Sequence, residues 1–224
     1  GENSDELILR GSTGGGVRLE TPNPADAGAN LTVETDSGLT TDEGDIFAVI
    51  SDCDQTHIFK ITKVTGRTIT HTGTTQAYKF EDGARVQEIQ AVTYCIGRAQ
   101  AWTGGPNGNN LMALRRLINP SAGQTCPNNG QELVEGIQNM QVRYGVVTGS
   151  PPSIKYVTAP AAGSTDLANV KTLRIELLVR SLANGVTSTA VPPTLEGAAI
   201  PLAANDRYLY KVMTNTISLR NKGT

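Results

Sequence analysis

The feature that most constrains the fold is the spacing of apolar residues, which recur with period two in short runs separated by Gly, Pro, Asn and Asp clusters. In the clearest run, residues 170–182, Leu173, Ile175, Leu177 and Val179 alternate with polar residues. A strand with this pattern buries one face and leaves the other in water, and each fully buried aliphatic side chain contributes about 1.5–3 kcal/mol. Because such runs recur along the chain, the sequence predicts a mainly β protein.

The same spacing locates the individual strands. They are predicted near residues 6–10, 30–34, 46–51, 57–63, 68–72, 85–96, 111–118, 141–147, 154–158, 170–182 and 207–219. Apolar residues of the last strand occur at both parities, so we expect both of its faces to be covered for part of its length. Residues 103–110 and 184–204 are rich in Gly, Asn or Pro and are predicted to be loops.

Between residues 131 and 147 the apolar residues fit both a helical face and a strand. Gly136 weakens the helical interpretation, because glycine is a poor helix former. We therefore expect a short pairing or helical turn at residues 132–137, followed by a strand from about Met140. The glycines at residues 14–16 lack the context of a phosphate-binding loop and are interpreted as a flexible loop.

Length and charge exclude several classes of protein. A chain of 224 residues suits one large or two small domains, and we expect a single domain over residues 1–224. Its 19 basic and 21 acidic residues leave no positive excess to displace phosphate counterions, so nucleic acid is not an expected partner. No run approaches the roughly 18 consecutive apolar residues of a membrane-spanning helix.

Few residues carry chemistry. Hydrolysis through a nucleophile needs a histidine base, but the two histidines, His57 and His71, lie in strand-like segments and no G-x-S-x-G occurs. The acidic residues at 42–45, and Asp52 with Asp54, lack the pattern of a calcium loop and favour turns. The paired basic residues at 115–116 are interpreted as a solvated strand end. We therefore expect no enzyme activity, no cofactor and no metal site.

The three cysteines, Cys53, Cys95 and Cys126, form neither a C-x-x-C pair nor a zinc-site spacing. In an exported protein this odd count indicates one disulfide and a further thiol, whereas in a cytosolic protein all three can be buried thiols. A composition with 27 Thr and 24 Gly is typical of β proteins and favours export.

One motif resembles that of a known family. Residues 131–145, QELVEGIQNMQVRYG, resemble the ELVEGV-x-x-x-Q-x-x-YG signature of the PilW minor pilins of type IV pili. Further segments resemble the family pattern in the same order, at residues 5–10, 50–53, 57–61, 93–94, 114–116, 170–181 and 214–221. The resemblance spans nearly the whole chain. Cys95 stands where the family more often has an aromatic residue, and the loops at residues 103–110 and 184–204 look particular to this protein.

The resemblance implies a mainly β, α+β pilin-like fold in which a globular domain with an antiparallel β-sheet packs on the C-terminal half of a long N-terminal helix. That helix lies outside these 224 residues, and we expect a removed segment that holds the precursor in the inner membrane of a Gram-negative bacterium. The implied protein is a structural subunit, related to J-type pseudopilins, and not an enzyme. It moves from the inner membrane and periplasm to the pilus tip at the cell surface.

The resemblance also implies partners. A minor pilin assembles with other minor pilins into a complex that primes pilus assembly, beneath a tip adhesin and above the major pilin, and so serves cell adhesion and twitching motility. Such a role needs surfaces rather than reactive groups, and Trp102, Leu195 and Ile200 are candidate partner contacts. The alternative is an extracellular adhesive or ligand-binding module outside any filament, with the loops at residues 103–110 and 184–204 holding the ligand.

A disulfide between Cys95 and Cys126 is proposed within this pilin-like arrangement. Cys95 lies on a predicted strand, and Cys126 lies in the loop after the neighbouring strand, so the two can be brought together. Cys53 then stays free or pairs with a cysteine upstream of this chain.

Overall fold

The computed structural model describes residues 4–20, 30–35, 39, 47–51, 56–72, 80, 83–100, 111–159 and 166–219. Two four-residue helices occur there, α1 (Cys126–Asn129) and α2 (Asp166–Asn169). The strands are β1 (Leu7–Arg18), β2 (Leu31–Thr32), β3 (Phe47–Ser51), β4 (Thr56–Thr65), β5 (Thr68–Thr72), β6 (Arg85–Arg98), β7 (Met112–Ile118), β8 (Gln131–Glu135), β9 (Ile137–Thr148), β10 (Ser153–Val157), β11 (Val170–Arg180), β12 (Thr194–Leu195), β13 (Ala198–Ala199) and β14 (Tyr210–Ser218). The predicted fold class, mainly β with antiparallel sheets, is confirmed.

The described chain divides into two compact units. The first unit contains residues 8–92 and 118–124, and the second contains residues 4–7, 93–117 and 125–219. Strand β6 contributes its first part to one unit and its last part to the other. The single domain expected from the sequence stays a prediction, and each unit is described by itself. Among the described residues, no helix is long and apolar enough to span a bilayer.

The first unit is built on strands in the order β2-β5-β4-β3-β6, with β1 pairing to β6. Its core is a cluster of buried side chains, namely Leu19, Leu31, Val33, Phe59, Ile61, Ile69, Phe80, Ala84 and Val86. The glycines at residues 14–16 lie inside β1 and not in the expected loop. A Cβ atom at Gly16 would lie 2.8 Å from the Val86 carbonyl oxygen, so glycine lets this strand approach β6 closely.

The second unit contains a four-stranded sheet in the order β10-β9-β11-β14. It also contains the last part of β6, most of β7 and all of β8. Strand β11 pairs on both sides, so Leu173 faces Tyr144 of β9 and Ile217 of β14. Its odd-numbered residues face the apolar core, as the alternation predicts. The buried members of that core are Ile96, Ile137, Met140, Val142 and Leu173.

The ambiguous segment resolves into two strands. Residues 131–135 form β8, and β9 begins at Ile137, directly after Gly136 in a left-handed conformation (φ 84°). A Cβ atom at Gly136 would lie 2.8 Å from the Arg180 carbonyl oxygen. The Gly136 N–H donates to Met112 O, and the Gly136 carbonyl accepts from Arg180 N–H, both at 2.8 Å. The short pairing is therefore found and the helical turn is not.

Two expectations for strand faces are wrong. Most of the polar face of β11 is not wet, because Thr172, Glu176 and Arg180 are each only 8% exposed, and only Arg174 is half-exposed there. Other parts of the second unit cover that face. Conversely, β14 is not covered on both faces, since its residues from Met213 to Ser218 are all exposed. It is an edge strand whose only described neighbour is β11, so no strand of the described chain pairs with its other side.

Arg115, in the middle of β7, is a buried arginine rather than a solvated one. Arg115 is 2% exposed, and its guanidinium donates to the carbonyl oxygens of Gly130 (3.0 Å from Nε) and Arg98 (2.7 Å from Nη1). Both acceptors are main-chain groups that the strands leave available. The interpretation of residues 115–116 as a solvated strand end is therefore wrong for Arg115, because its hydrogen bonds are satisfied inside the protein.

Replacing Gly97 with alanine tests this packing. A Cβ atom there would lie 2.5 Å from Arg115 Cδ and 2.7 Å from the Pro127 carbonyl oxygen, so Gly97→Ala is expected to lower the free energy of unfolding by about 1–3 kcal/mol. Gly11→Ala, where nothing lies within 4 Å, is the matched control and should change stability by less than about 0.5 kcal/mol. Urea denaturation of both variants checks this, and equal effects would contradict the proposed crowding at Gly97.

Candidate functional site

The concave polar site of the second unit lies on the face of the four-stranded sheet that carries the even-numbered residues of β11. Its charged and aromatic side chains, here called the polar cluster, line a cavity of about 420 Å³ and are Arg143, Tyr156, Arg174, Glu176 and Glu196. β9, β10 and β11 supply the first four, and the turn between β12 and β13 supplies Glu196. The cluster contains two cationic and two anionic side chains, so its charges balance.

Glu196 ties the small β12–β13 hairpin to the sheet. Its carboxylate accepts hydrogen bonds from Nε and Nη2 of Arg143, in the two-pronged geometry that arginine offers a carboxylate. Its own N–H donates to the Glu176 carboxylate at 3.1 Å. The hydrogen bond to Glu196 raises the Arg143 pKa above its usual value, against the opposing effect of burial. The Arg143 guanidinium is therefore held in its charged state.

The hairpin can make this contact because its turn has an unusual backbone. Glu196 (φ 52°) and Gly197 (φ 81°) both adopt positive φ, as the two central residues of a tight type I′ hairpin turn require. Residues 194–199 lie inside the segment predicted to be loop, so this short pairing was missed. The Glu-Gly pair between Leu195 and Ala198 was the available signal, but nothing in the sequence connects Glu196 with Arg143.

Arg174 completes the polar cluster. Its Nη2 lies 3.2 Å from the Glu176 carboxylate, and its guanidinium lies 5.3 Å from the centre of the Tyr156 ring. Arginine stacked on an aromatic ring and paired to a carboxylate is held in place by both contacts. No nucleophile with an adjacent base occurs in this arrangement, and the described residues contain no group of three or more potential metal ligands.

A second set of contacts fixes the segment that returns to β14. The guanidinium of Arg180 lies 4.2 Å from the centre of the Tyr208 ring, which is buried. The Tyr210 hydroxyl donates to Asp206 at 3.0 Å. Burial raises the pKa of Tyr210 to about 12, and its hydrogen bond to Asp206 acts in the same direction. These contacts explain why the polar face of β11 is covered, since Arg180 packs beneath an aromatic residue of the returning segment.

The disulfide predicted between Cys95 and Cys126 is present, with the two Cα atoms 6.0 Å apart. Both residues are buried. The bond joins β6 to the first residue of α1, directly before Pro127, and so holds α1 beside the strand that carries Gly97. Cys53 lies outside the described residues.

The other predicted residues are distributed between described and undescribed parts of the chain. Leu195 is buried (7% exposed), and Ile200 is half-buried, so Ile200 offers more surface to a partner. Trp102 and the acidic residues at 42–45, 52 and 54 lie outside the described residues, as does the loop at residues 103–110. Partner contact through Trp102, Leu195 and Ile200 stays a prediction.

The two histidines of the first unit contact aromatic side chains. The His57 ring meets Phe80 edge-on with 5.5 Å between ring centres, and the His71 ring lies 5.1 Å from that of Phe59. Phe59 and Phe80 belong to the buried core of that unit. Both histidine rings therefore contact the core of that unit.

Comparison with known proteins identifies the family. The family described as "Type IV Pilus-assembly protein W" matches residues 93–221, more than half of the chain. The chain belongs to the PilW family of type IV pilus-assembly proteins. The resemblance found in residues 131–145 falls within the matched range, and so do the disulfide and the polar cluster.

Two further comparisons complete the picture. No curated protein matches this chain significantly. A solved structure of a type IV-like pilin from Thermus thermophilus is similar at 14% identity with a TM-score of 0.33, covering 81% of this chain and 87% of that one. The family assignment rests on the match over residues 93–221.

Removal of the disulfide should destabilise the protein. The double variant Cys95→Ala/Cys126→Ala is expected to lose about 2–4 kcal/mol of unfolding free energy, because the bond restricts the unfolded chain across 31 residues. Denaturation with and without reductant measures this: reductant should destabilise the parent protein and leave the double variant unchanged. Alkylation of all three cysteines under denaturing, non-reducing conditions would contradict the bond.

The raised pKa of Tyr210 gives a measurable signal at alkaline pH. The folded protein keeps this phenol protonated after the unfolded chain has ionised it, so its contribution to stability is intact below about pH 10 and lost as the pH rises through about 12. The absorbance difference at 295 nm between the parent protein and Tyr210→Phe should show a step near pH 12. Asp206→Asn should move that step to lower pH. A step near pH 10 in that difference would refute the shift.

Proposed function

We propose that this PilW-family protein is a minor pilin that joins other minor pilins in the complex that primes type IV pilus assembly. In this proposal the complex sits at the pilus tip, beneath an adhesin and above the major pilin. The observation that carries it is the family match over residues 93–221. The protein acts as a structural subunit, through its surfaces, in cell adhesion and twitching motility.

The chemistry of the described residues supports a structural role. The charged side chains of the polar cluster are paired with one another, and Arg143 and Glu196 connect a hairpin to the sheet. The Arg115 guanidinium donates its hydrogen bonds to main-chain carbonyl oxygens. In this part of the chain the reactive residue types therefore serve the fold, which favours a subunit over an enzyme.

We propose that the precursor of the protein is first located in the inner membrane. There a helix upstream of this chain anchors the precursor, with the globular part in the periplasm, before assembly carries it to the cell surface. The partners proposed for the assembled state are the neighbouring minor pilins, with a tip adhesin above them.

Deletion of the gene tests the priming role. We expect few surface pili on the deletion strain, counted by electron microscopy, because assembly starts inefficiently without the complex. Complementation with the parent gene should restore them, and pilin subunits should still be present in the membrane of the deletion strain. Normal piliation would contradict the priming role, and retained piliation with lost adhesion would favour the adhesive module instead.

A further inference from the structure

The main chain of β14 presents an unused side. Ser181 N–H donates to the Leu209 carbonyl and Leu219 N–H donates to the Lys171 carbonyl, both at 2.8 Å, at the two ends of the β11–β14 pair. The register between them is continuous, without a bulge. Hydrogen-bonded pairs alternate along an antiparallel ladder, so the odd-numbered residues of β14 direct their N–H and C=O groups toward β11.

The even-numbered residues of β14 therefore direct their main-chain groups away from the sheet. These residues are Tyr210, Val212, Thr214, Thr216 and Ser218. No strand of the described chain pairs with this side. A row of such donors and acceptors is a template for another strand.

The opposite side of the same sheet ends in a shorter strand. Strand β10 pairs with residues 144–148 of β9. The next residues along β9 are covered by the start of the described chain: Asp5 N–H donates to the Met140 carbonyl at 2.8 Å, and the Asp5 carboxylate accepts from Val142 N–H at 2.8 Å. The outer side of β9 is thus covered along much of its length, and the outermost strand beyond it, β10, has five residues, whereas the β14 edge offers nine.

The side chains of β14 define what fits beside it. Met213 (55% exposed) and Ile217 (44% exposed) lie on the same face as their cross-strand partners Leu177 and Leu173, which belong to the apolar core. Leu209 adds a third exposed apolar side chain at the same parity. An added strand with apolar residues at alternate positions would extend this core and cover the stripe.

The charge of the C-terminal segment indicates which residues a binding partner would carry. From Arg207 to the end of the sequence the charged residues are all basic, with Lys211 inside β14 and no Asp or Glu. The strand also contains no proline and no bulge, which are common means of blocking an edge. The complementary segment is extended, apolar at alternate positions and acidic near Lys211.

We propose that the open edge of β14 binds an extended segment of another pilin-like subunit, which adds a fifth strand to the four-stranded sheet. The segment alternates apolar residues over Met213 and Ile217 and places a carboxylate near Lys211. Its main chain pairs with the even-numbered residues of β14, in the manner of β-strand addition. This inference rests on the proposed function, and it names the surface through which that function is exerted.

Amide hydrogen exchange followed by NMR distinguishes the two sides of β14. In the isolated protein the amides of Val212, Thr214 and Thr216 should exchange rapidly, whereas those of Met213 and Asn215 are protected by β11. The soluble domains of the other pilin-like proteins of the source genome are then added one at a time. In the complex that forms, exchange at the even-numbered residues should slow by at least about tenfold.

Two substitutions at Thr214 provide a test variant and its matched control. Thr214→Pro removes an outward N–H that the fold does not use, and edge strands accept proline there, so binding should weaken by at least about tenfold. Thr214→Ala keeps that N–H and should bind like the parent protein. If Thr214→Pro unfolds, Ile217→Lys serves instead, because its exposed side chain can be replaced without emptying the core, and it should weaken binding comparably.

The outcomes separate the inference from the function on which it rests. A complex that forms without protection of the even-numbered amides, or that binds Thr214→Pro and Ile217→Lys unchanged, overturns the edge-strand inference and leaves the proposed function standing. Failure of every pilin-like domain to bind the parent protein overturns both. Protection limited to the even-numbered residues, together with loss of binding in the variants, supports strand addition.

Discussion

The arrangement of the second unit depends on the pairing of β11 with two neighbours at once. Because β9 and β14 lie on either side of it, this strand carries apolar side chains into the core on one face and Glu176, Arg180 and Thr172 into a polar environment on the other. Each neighbour is distant in sequence, so the pairing organises most of the unit. The position of β14 as the edge of the sheet, and therefore its exposure, follows from the same pairing.

On the polar face of β11, buried charged groups are stabilised by pairing with one another and with aromatic rings. Glu176 accepts from Arg174 and from the Glu196 main chain, while Arg180 packs on Tyr208. Leaving any of these groups unpaired in a partly buried site would cost more than the pairs contribute. The returning segment between β11 and β14 is thereby held against the sheet. These contacts fix the shape of that face of the sheet.

Much of the fold could be predicted because the positions of the strands depend on local sequence patterns. The period-two alternation located β11, and the boundaries of β5 agree with the prediction. The placement of Cys95 on a strand and of Cys126 in the loop after the neighbouring strand led to the predicted disulfide. Other features depend on contacts between distant residues. Arg115 looks like a solvated basic residue until the carbonyls of Gly130 and Arg98 are brought to it. The polarity of a residue predicts exposure only when no partner is available, and partners are supplied by tertiary structure.

By itself the sequence determined the strand-rich, antiparallel character of the protein, its PilW family resemblance and the scarcity of reactive groups, since periodicity, motif and composition are properties of short segments. Tertiary structure decided which strands lie at an edge, which polar side chains are buried and how the hairpin at Glu196 meets Arg143. The physical reason is that alternation specifies the two faces of a strand but not its neighbours. Apolar residues at both parities of the last strand suggested burial, yet β14 has only one described neighbour and is open along its other side.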